Sequence, residues 1–148
     1  MDPTKQPGLE IGQIVLERAV FEHRPDYLTI PPTTPVPPLP LRIQAQLGLD
    51  QEKRTGVIRL MLNTDRDQAP FYIIELTFAA LISVKAGEEN MSIERYAMTA
   101  AVATLFPFVR EAVANLTSRG RFGPVWLHPF NVAAGIDQPG VWATSGSA

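Results

Sequence analysis

The sequence predicts an α+β domain: a four-stranded antiparallel sheet with one long C-terminal helix packed on one face. Three observations carry that reading. From Ser92 to Ser118 apolar residues recur at helical spacing, including Tyr96, Ala97, Ala100, Leu105, Val109, Val113 and Leu116. Leu41 to Leu47 alternates cleanly, with Leu41, Ile43, Ala45 and Leu47 set against Arg42, Gln44 and Gln46. Pro70 to Val84 is rich in β-formers and apolar on both phases, as in a strand covered on two sides.

Taken in order, residues 1–8 are polar, carry Pro3, Pro7 and Gly8, and read as a disordered start. Leu9 to Glu22 is the first strand, and its broken alternation points to a bulge at Gly12 that switches phase. His23 to Pro40 is a crossover. Six of the chain's 14 prolines fall between Pro31 and Pro40, which forbids helix and favours an extended, polyproline-like path. Tyr27, Leu28, Ile30, Val36 and Leu39 are interleaved there, either as anchors of an ordered loop or as the wall of a groove. Leu41 to Leu47 and Thr55 to Thr64 are the second and third strands, and Pro70 to Val84 is the fourth. Short turns make the later three a meander. A fourth strand apolar on both faces exceeds what one helix can cover, which suggests burial against another subunit.

Ser92 is placed to cap the helix and Gly120 to end it in a left-handed conformation. From Ser92 to Ser118 such a helix is about 40 Å long. Pro107 lies inside it and predicts a break or a kink. The small residues of the first half, with Ala97, Ala100 and Thr104 as the candidate contact, allow a second helix to approach closely. The domain is expected to span residues 9–132, with 133–148 a tail that Trp142 could dock.

Composition excludes several function classes. A net charge of −2 gives no electrostatic case for nucleic acid. The absence of cysteine rules out disulfides and thiolate zinc sites and fits a cytoplasmic protein. MDPTKQPG lacks the features of a signal peptide, and the apolar run Phe71 to Val84, interrupted by Glu75, is too short to span a bilayer. No phosphate-cradling, dinucleotide, zinc-protease or serine-hydrolase motif occurs. His23 and His128 are far apart, and Asp65 and Asp67 form a solvated turn pair, so neither catalysis, a metal nor a cofactor is expected. Asn115-Leu-Thr117 fits a glycosylation acceptor but falls on the helix. An enzyme would need a pocket gathering His128, Asp65 and Asp67.

Leu-Phe-Pro-Phe-Val-Arg-Glu at 105–111, Ser-Arg-Gly at 118–120, then Phe122, Pro124, Leu127, Pro129 and Asn131 resemble the corresponding run of the SecB family of bacterial export chaperones. A fainter similarity covers residues 9–22 and 70–84. The resemblance implies the same sheet and helix, assembled as a homotetramer that is a dimer of dimers. It also implies an ATP-independent holdase for unfolded polypeptide clients, with grooves beneath the crossover and beside the helices. Tyr27, Leu28, Ile30 and Phe71 are the matching groove candidates. Contact with the motor ATPase SecA would fall to Glu22, Ile73 and Glu75, although another acidic position of the family is Arg18 here. Residues 133–148 show no counterpart of the tail that binds the motor's zinc domain, an ending shared with SecB-like chaperones dedicated to an antitoxin. An oligomeric scaffold that buries its apolar surface in its own assembly is the competing class.

Overall fold

The computed structural model describes residues 9–31, 33–35, 37, 39–50, 54–84, 93–127 and 139–145, with residue 84 and the last stretch as backbone. The strands are β1 (Leu9–His23), β2 (Leu39–Asp50), β3 (Thr55–Thr64), β4 (Tyr72–Val84), β5 (Val125–Leu127) and β6 (Pro139–Ser145). A 3₁₀ turn at Tyr27–Thr29 follows β1, and one helix, α1, runs over Ile93–Thr117. The strands form one antiparallel sheet in the order β1-β4-β3-β2-β6-β5. The four expected strands are its body: β2, β3 and β4 form the meander, and the crossover after β1 leaves β1 beside β4.

β1 follows its sequence closely. Register shifts between Ile11 and Ile14 and between Leu16 and Arg18 change its phase twice. Residues opposite one another share a face. Ile11, Ile14, Leu16, Ala19 and Phe21 therefore stand opposite Ile82, Ala80, Phe78, Leu76 and Ile74 of β4. The bulge expected at Gly12 is present, and the second restores the original phase.

The helix covers this inner face. Val102, Leu105, Val109 and Val113 are fully buried against a sheet whose Ile58, Leu60, Leu62, Ile74 and Leu76 are equally sealed. Each such side chain contributes roughly 1.5–3 kcal/mol relative to exposure. The helix is long and apolar enough, by length and composition, to cross a membrane, yet 33% of its most apolar stretch is buried in this chain. That buried stripe is the core; the rest of the helix faces outward.

Three expectations are corrected. The helix does not break at Pro107, which is exposed, but runs on to Thr117, and a π-turn lies earlier, at Ala97–Ala101. Gly120 does not adopt the left-handed conformation, which falls to Gly123 with φ of 80°. Gly120 is needed for space instead, because a Cβ there would lie 2.3 Å from the Tyr72 hydroxyl oxygen. The stretch expected as a tail supplies β6, which pairs with Leu39–Arg42 of β2 and with β5. An edge strand offers a row of unpaired backbone groups, and that row can order a segment with no strong strand pattern. The expected cap at Ser92, the start at 1–8 and the side chain of Trp142 lie outside the described residues.

Candidate functional site

The site forms where the crossover, the start of β4 and the turn after α1 meet. Thr117 ends the helix fully buried; its hydroxyl donates to the Val113 carbonyl at 2.6 Å and accepts the Val125 N–H at 2.7 Å. That sealed hydroxyl leaves Asn115-Leu-Thr117 a structural element. The chain then turns tightly over Tyr72, which is completely buried. The Tyr72 hydroxyl accepts the Phe122 N–H and donates to the Gly123 carbonyl, both at 3.0 Å. Burial pushes its ionisation upward, offset in part by the Phe122 bond. Phe21, His23, Phe71 and Phe122 pack around that ring, with centroids 4.7–5.9 Å away.

Arg121 ties the turn to the crossover. Its guanidinium donates to the Tyr27 carbonyl and, at 2.7 Å, to the Ile30 carbonyl. Its backbone N–H donates to His23 Nε2 at 3.1 Å. Burial holds His23 below the usual histidine range, and the same hydrogen bond requires that nitrogen to be unprotonated. The start of the crossover is fixed by Arg24, whose N–H bonds the Phe71 carbonyl at 2.9 Å and whose guanidinium reaches the Arg66 carbonyl.

Under this strap lies an apolar cavity of about 210 Å³, lined by Ile30, Thr34, Pro35, Pro37, Pro70, Phe71 and Phe122. Of the groove candidates, Ile30 and Phe71 meet here; Phe71, 2% exposed, is the floor. Tyr27 stands beside it, half-buried, with its ring on His23 at 4.4 Å. Leu28 is 72% exposed and takes no part in the lining. Sequence reasoning missed Phe122 and Pro70 as lining residues of this cavity and Arg121 as the tie. Phe122 stood in the motif run, but nothing in the sequence set it against Phe71.

The outer face of the sheet gathers Glu22, Ile73 and Glu75. Glu22 stands opposite Ile73, and Glu75 is the next residue on that face. Arg18 reaches Glu75 at 2.8 Å, and Arg66 reaches Glu75 at 3.1 Å and Glu22 at 3.6 Å. The Arg18 hydrogen bond, with that of Arg66, holds the Glu75 carboxyl below the ordinary range against a smaller opposing effect of burial. Glu17 is lowered likewise by its bond to Arg59. Ile73 is buried, whereas Leu81, on the same face, is 50% exposed.

On the helix, Ala100 and Thr104 face outward, but Ala97, expected with them, is fully buried within its own chain. The π-turn begins there, and its two buried residues are Ala97 and Ala101. A shallow cavity of about 550 Å³ lies further along, lined in part by Pro107, Arg110, Glu111, Pro124 and Trp126. Asp65 and Asp67 form a local turn in which the Asp67 N–H donates to Asp65 Oδ1 at 2.9 Å. His128 lies outside the described residues, and among the described residues no cluster of three metal-ligating groups occurs.

Comparison with known proteins adds a family. The family model described as Preprotein translocase subunit SecB matches residues 4–138. Protein-export protein SecB of Maricaulis maris is 30% identical over 130 residues, covering 86% of this chain and 74% of that protein. The namesakes of Cellvibrio japonicus and Rhodospirillum centenum are 31% and 26% identical, covering 53% and 64% of this chain. The chain spans about half the length of these last two, 46% and 57%. A Mycobacterium tuberculosis SecB-like chaperone, solved in complex with a ChAD peptide from an antitoxin, shares the fold. The TM-score is 0.62 at 20% identity, over 83% of this chain and 91% of that one.

Proposed function

The chain belongs to the SecB family, and from that premise we propose that it is an ATP-independent holdase that keeps client polypeptides unfolded. The observation that carries this reading is the apolar cavity walled by Ile30, Phe71 and Phe122 beneath the crossover. A site of that size takes a single large side chain of an extended segment, and several such sites on one oligomer add avidity. The binding is mass action on the unfolded state and calls for no nucleotide, metal or catalytic group. The outward Ala100 and Thr104 suit a helix–helix contact in a cytoplasmic tetramer. Ala100→Trp should split that assembly into dimers by light scattering; an unchanged mass moves the interface elsewhere.

The delivery partner is a second question. Glu22, Ile73 and Glu75 lie together as contact with SecA would need, but Arg18 and Arg66 neutralise the carboxylate at their centre. That favours a chaperone dedicated to an antitoxin over one that delivers clients for export by the motor. The Mycobacterium tuberculosis neighbour, bound to an antitoxin peptide, lends the same reading support at the level of fold.

The deciding experiment is refolding of a slow-folding export precursor with the oligomer present in equimolar amount. Arrest of folding supports a general holdase. An oligomer that ignores this client but binds an antitoxin encoded beside it supports the dedicated form. An oligomer that binds neither, and leaves an apolar dye dark, is a scaffold.

A further inference from the structure

We infer that Arg121 is a positioning residue: with His23 it latches the crossover over the Ile30–Phe71–Phe122 cavity, so that the cavity stays formed before a client arrives. The inference rests on the holdase reading of that cavity. Its geometry is independent of that reading. One side chain spans from the turn after the helix to two carbonyls of the strap, Tyr27 and Ile30, and its own N–H is seated on His23 Nε2. Its guanidinium also lies 5.4 Å from the centre of the Phe122 ring, which walls the same cavity. A fork of charged donors on carbonyls holds a loop more firmly than neutral bonds do. Among the described residues, the backbone N–H groups of Thr29 and Ile30 donate to Asp26 and Tyr27 within a single 3₁₀ turn, which cannot fix its own position on the sheet. Without Arg121, Ile30 is free to leave the wall, and a client must then order the strap as it binds.

His23 makes the latch sensitive to acid. Its ring faces the Tyr27, Phe21 and Tyr72 rings and the Arg121 backbone. Among neighbouring charged groups, Glu22 pairs with Arg66 on the other face, Arg24 reaches the Arg66 carbonyl, and Asp26 gives its backbone carbonyl to the turn. A proton on Nε2 removes the acceptor and sets a positive ring beside the Arg121 backbone donor. The latch is therefore intact at neutral pH and opens as pH falls below about 6.5 toward the depressed folded value.

The test is hydrogen exchange of the full chain, read as protection factors at Thr29 and Ile30, beside anisotropy of a fluorescein-labelled nonapeptide of alternating leucine and serine. Arg121→Ala should lower protection at both amides about tenfold and weaken peptide binding about tenfold, with Ile74 and Leu76 unchanged as the fold control. Arg121→Lys should restore part of both. His23→Gln, whose carbonyl accepts at every pH, should abolish the loss of protection on acidification. Unchanged protection at Thr29 and Ile30 in Arg121→Ala overturns the latch. A freed strap with undiminished peptide affinity overturns the positioning role. A wild-type protein that binds neither the peptide nor reduced, carboxymethylated lactalbumin sinks the holdase reading and the positioning role with it; the exchange data then decide separately whether the latch exists.

Discussion

The cavity beneath the crossover and the outer face of the sheet are both built around arginines, and the arginines act differently in each. Under the crossover Arg121 meets backbone carbonyls, so its charge fixes a loop above an apolar cavity. On the outer face Arg18, Arg66 and Arg59 meet the carboxylates of Glu75, Glu22 and Glu17, so the charges cancel in place. An arginine on carbonyls shapes a site; an arginine on carboxylates removes the field that would draw a charged partner. Exposed pairs of the second kind add little stability.

The largest effect is expected from Gly120→Ala, at the cavity end. The new methyl would overlap the Tyr72 hydroxyl, and the buried ring has nowhere to go. A loss of about 3 kcal/mol in urea unfolding is expected, with the cavity deformed. A variant of unchanged stability would mean that the turn after α1 is free to shift. Tyr72→Phe should cost about 2 kcal/mol, since it strips the Phe122 N–H and the Gly123 carbonyl of one shared partner without changing volume. Both act at the cavity end and should weaken client binding together with stability.

The outer face should respond less, and through pH. Glu75 is lowered in the folded state, so the unfolded chain binds its proton first as the solution is acidified. The stability it adds is therefore complete above about pH 4.3 and lost as pH falls through the lower folded value. Glu75→Gln should flatten the stability profile in that acid window, lower neutral stability by the same small amount that acid removes from the wild type, and leave client binding unchanged. A large loss at neutral pH would show that the pairs hold the sheet together rather than screen it.

Much of this fold was legible in the chain. The helical spacing of Leu105, Val109 and Val113 and the alternation of Leu41–Leu47 report inward faces, and the first three are fully buried, as are Leu41 and Ile43, with Ala45 and Leu47 half-buried. Gly12 announced its bulge because a broken period in β1 needs an extra residue to mend it. The lining of the candidate cavity was half legible: Ile30 and Phe71 were marked by apolar character next to prolines, and the cavity brings them together. Leu28 carried the same mark and is exposed, since apolar character alone does not say which side of a turn a residue occupies. Ala97 and Ala100 were indistinguishable in sequence, yet Ala97 is buried and Ala100 exposed within the same π-turn.

The chain's own pattern set the four main strands, the helix and which of their faces would be apolar, because burial is written as periodicity. It determined the family as well, through a run of residues around the helix end. It took the folded chain to show that Gly120 makes room for Tyr72, that Arg121 bonds the crossover, and that residues 139–145 pair with the first residues of β2. Each of those depends on backbone groups or on space between segments distant in the chain. A carbonyl, an N–H and a missing methyl carry no side-chain signature, so no pattern along the sequence can report where they meet.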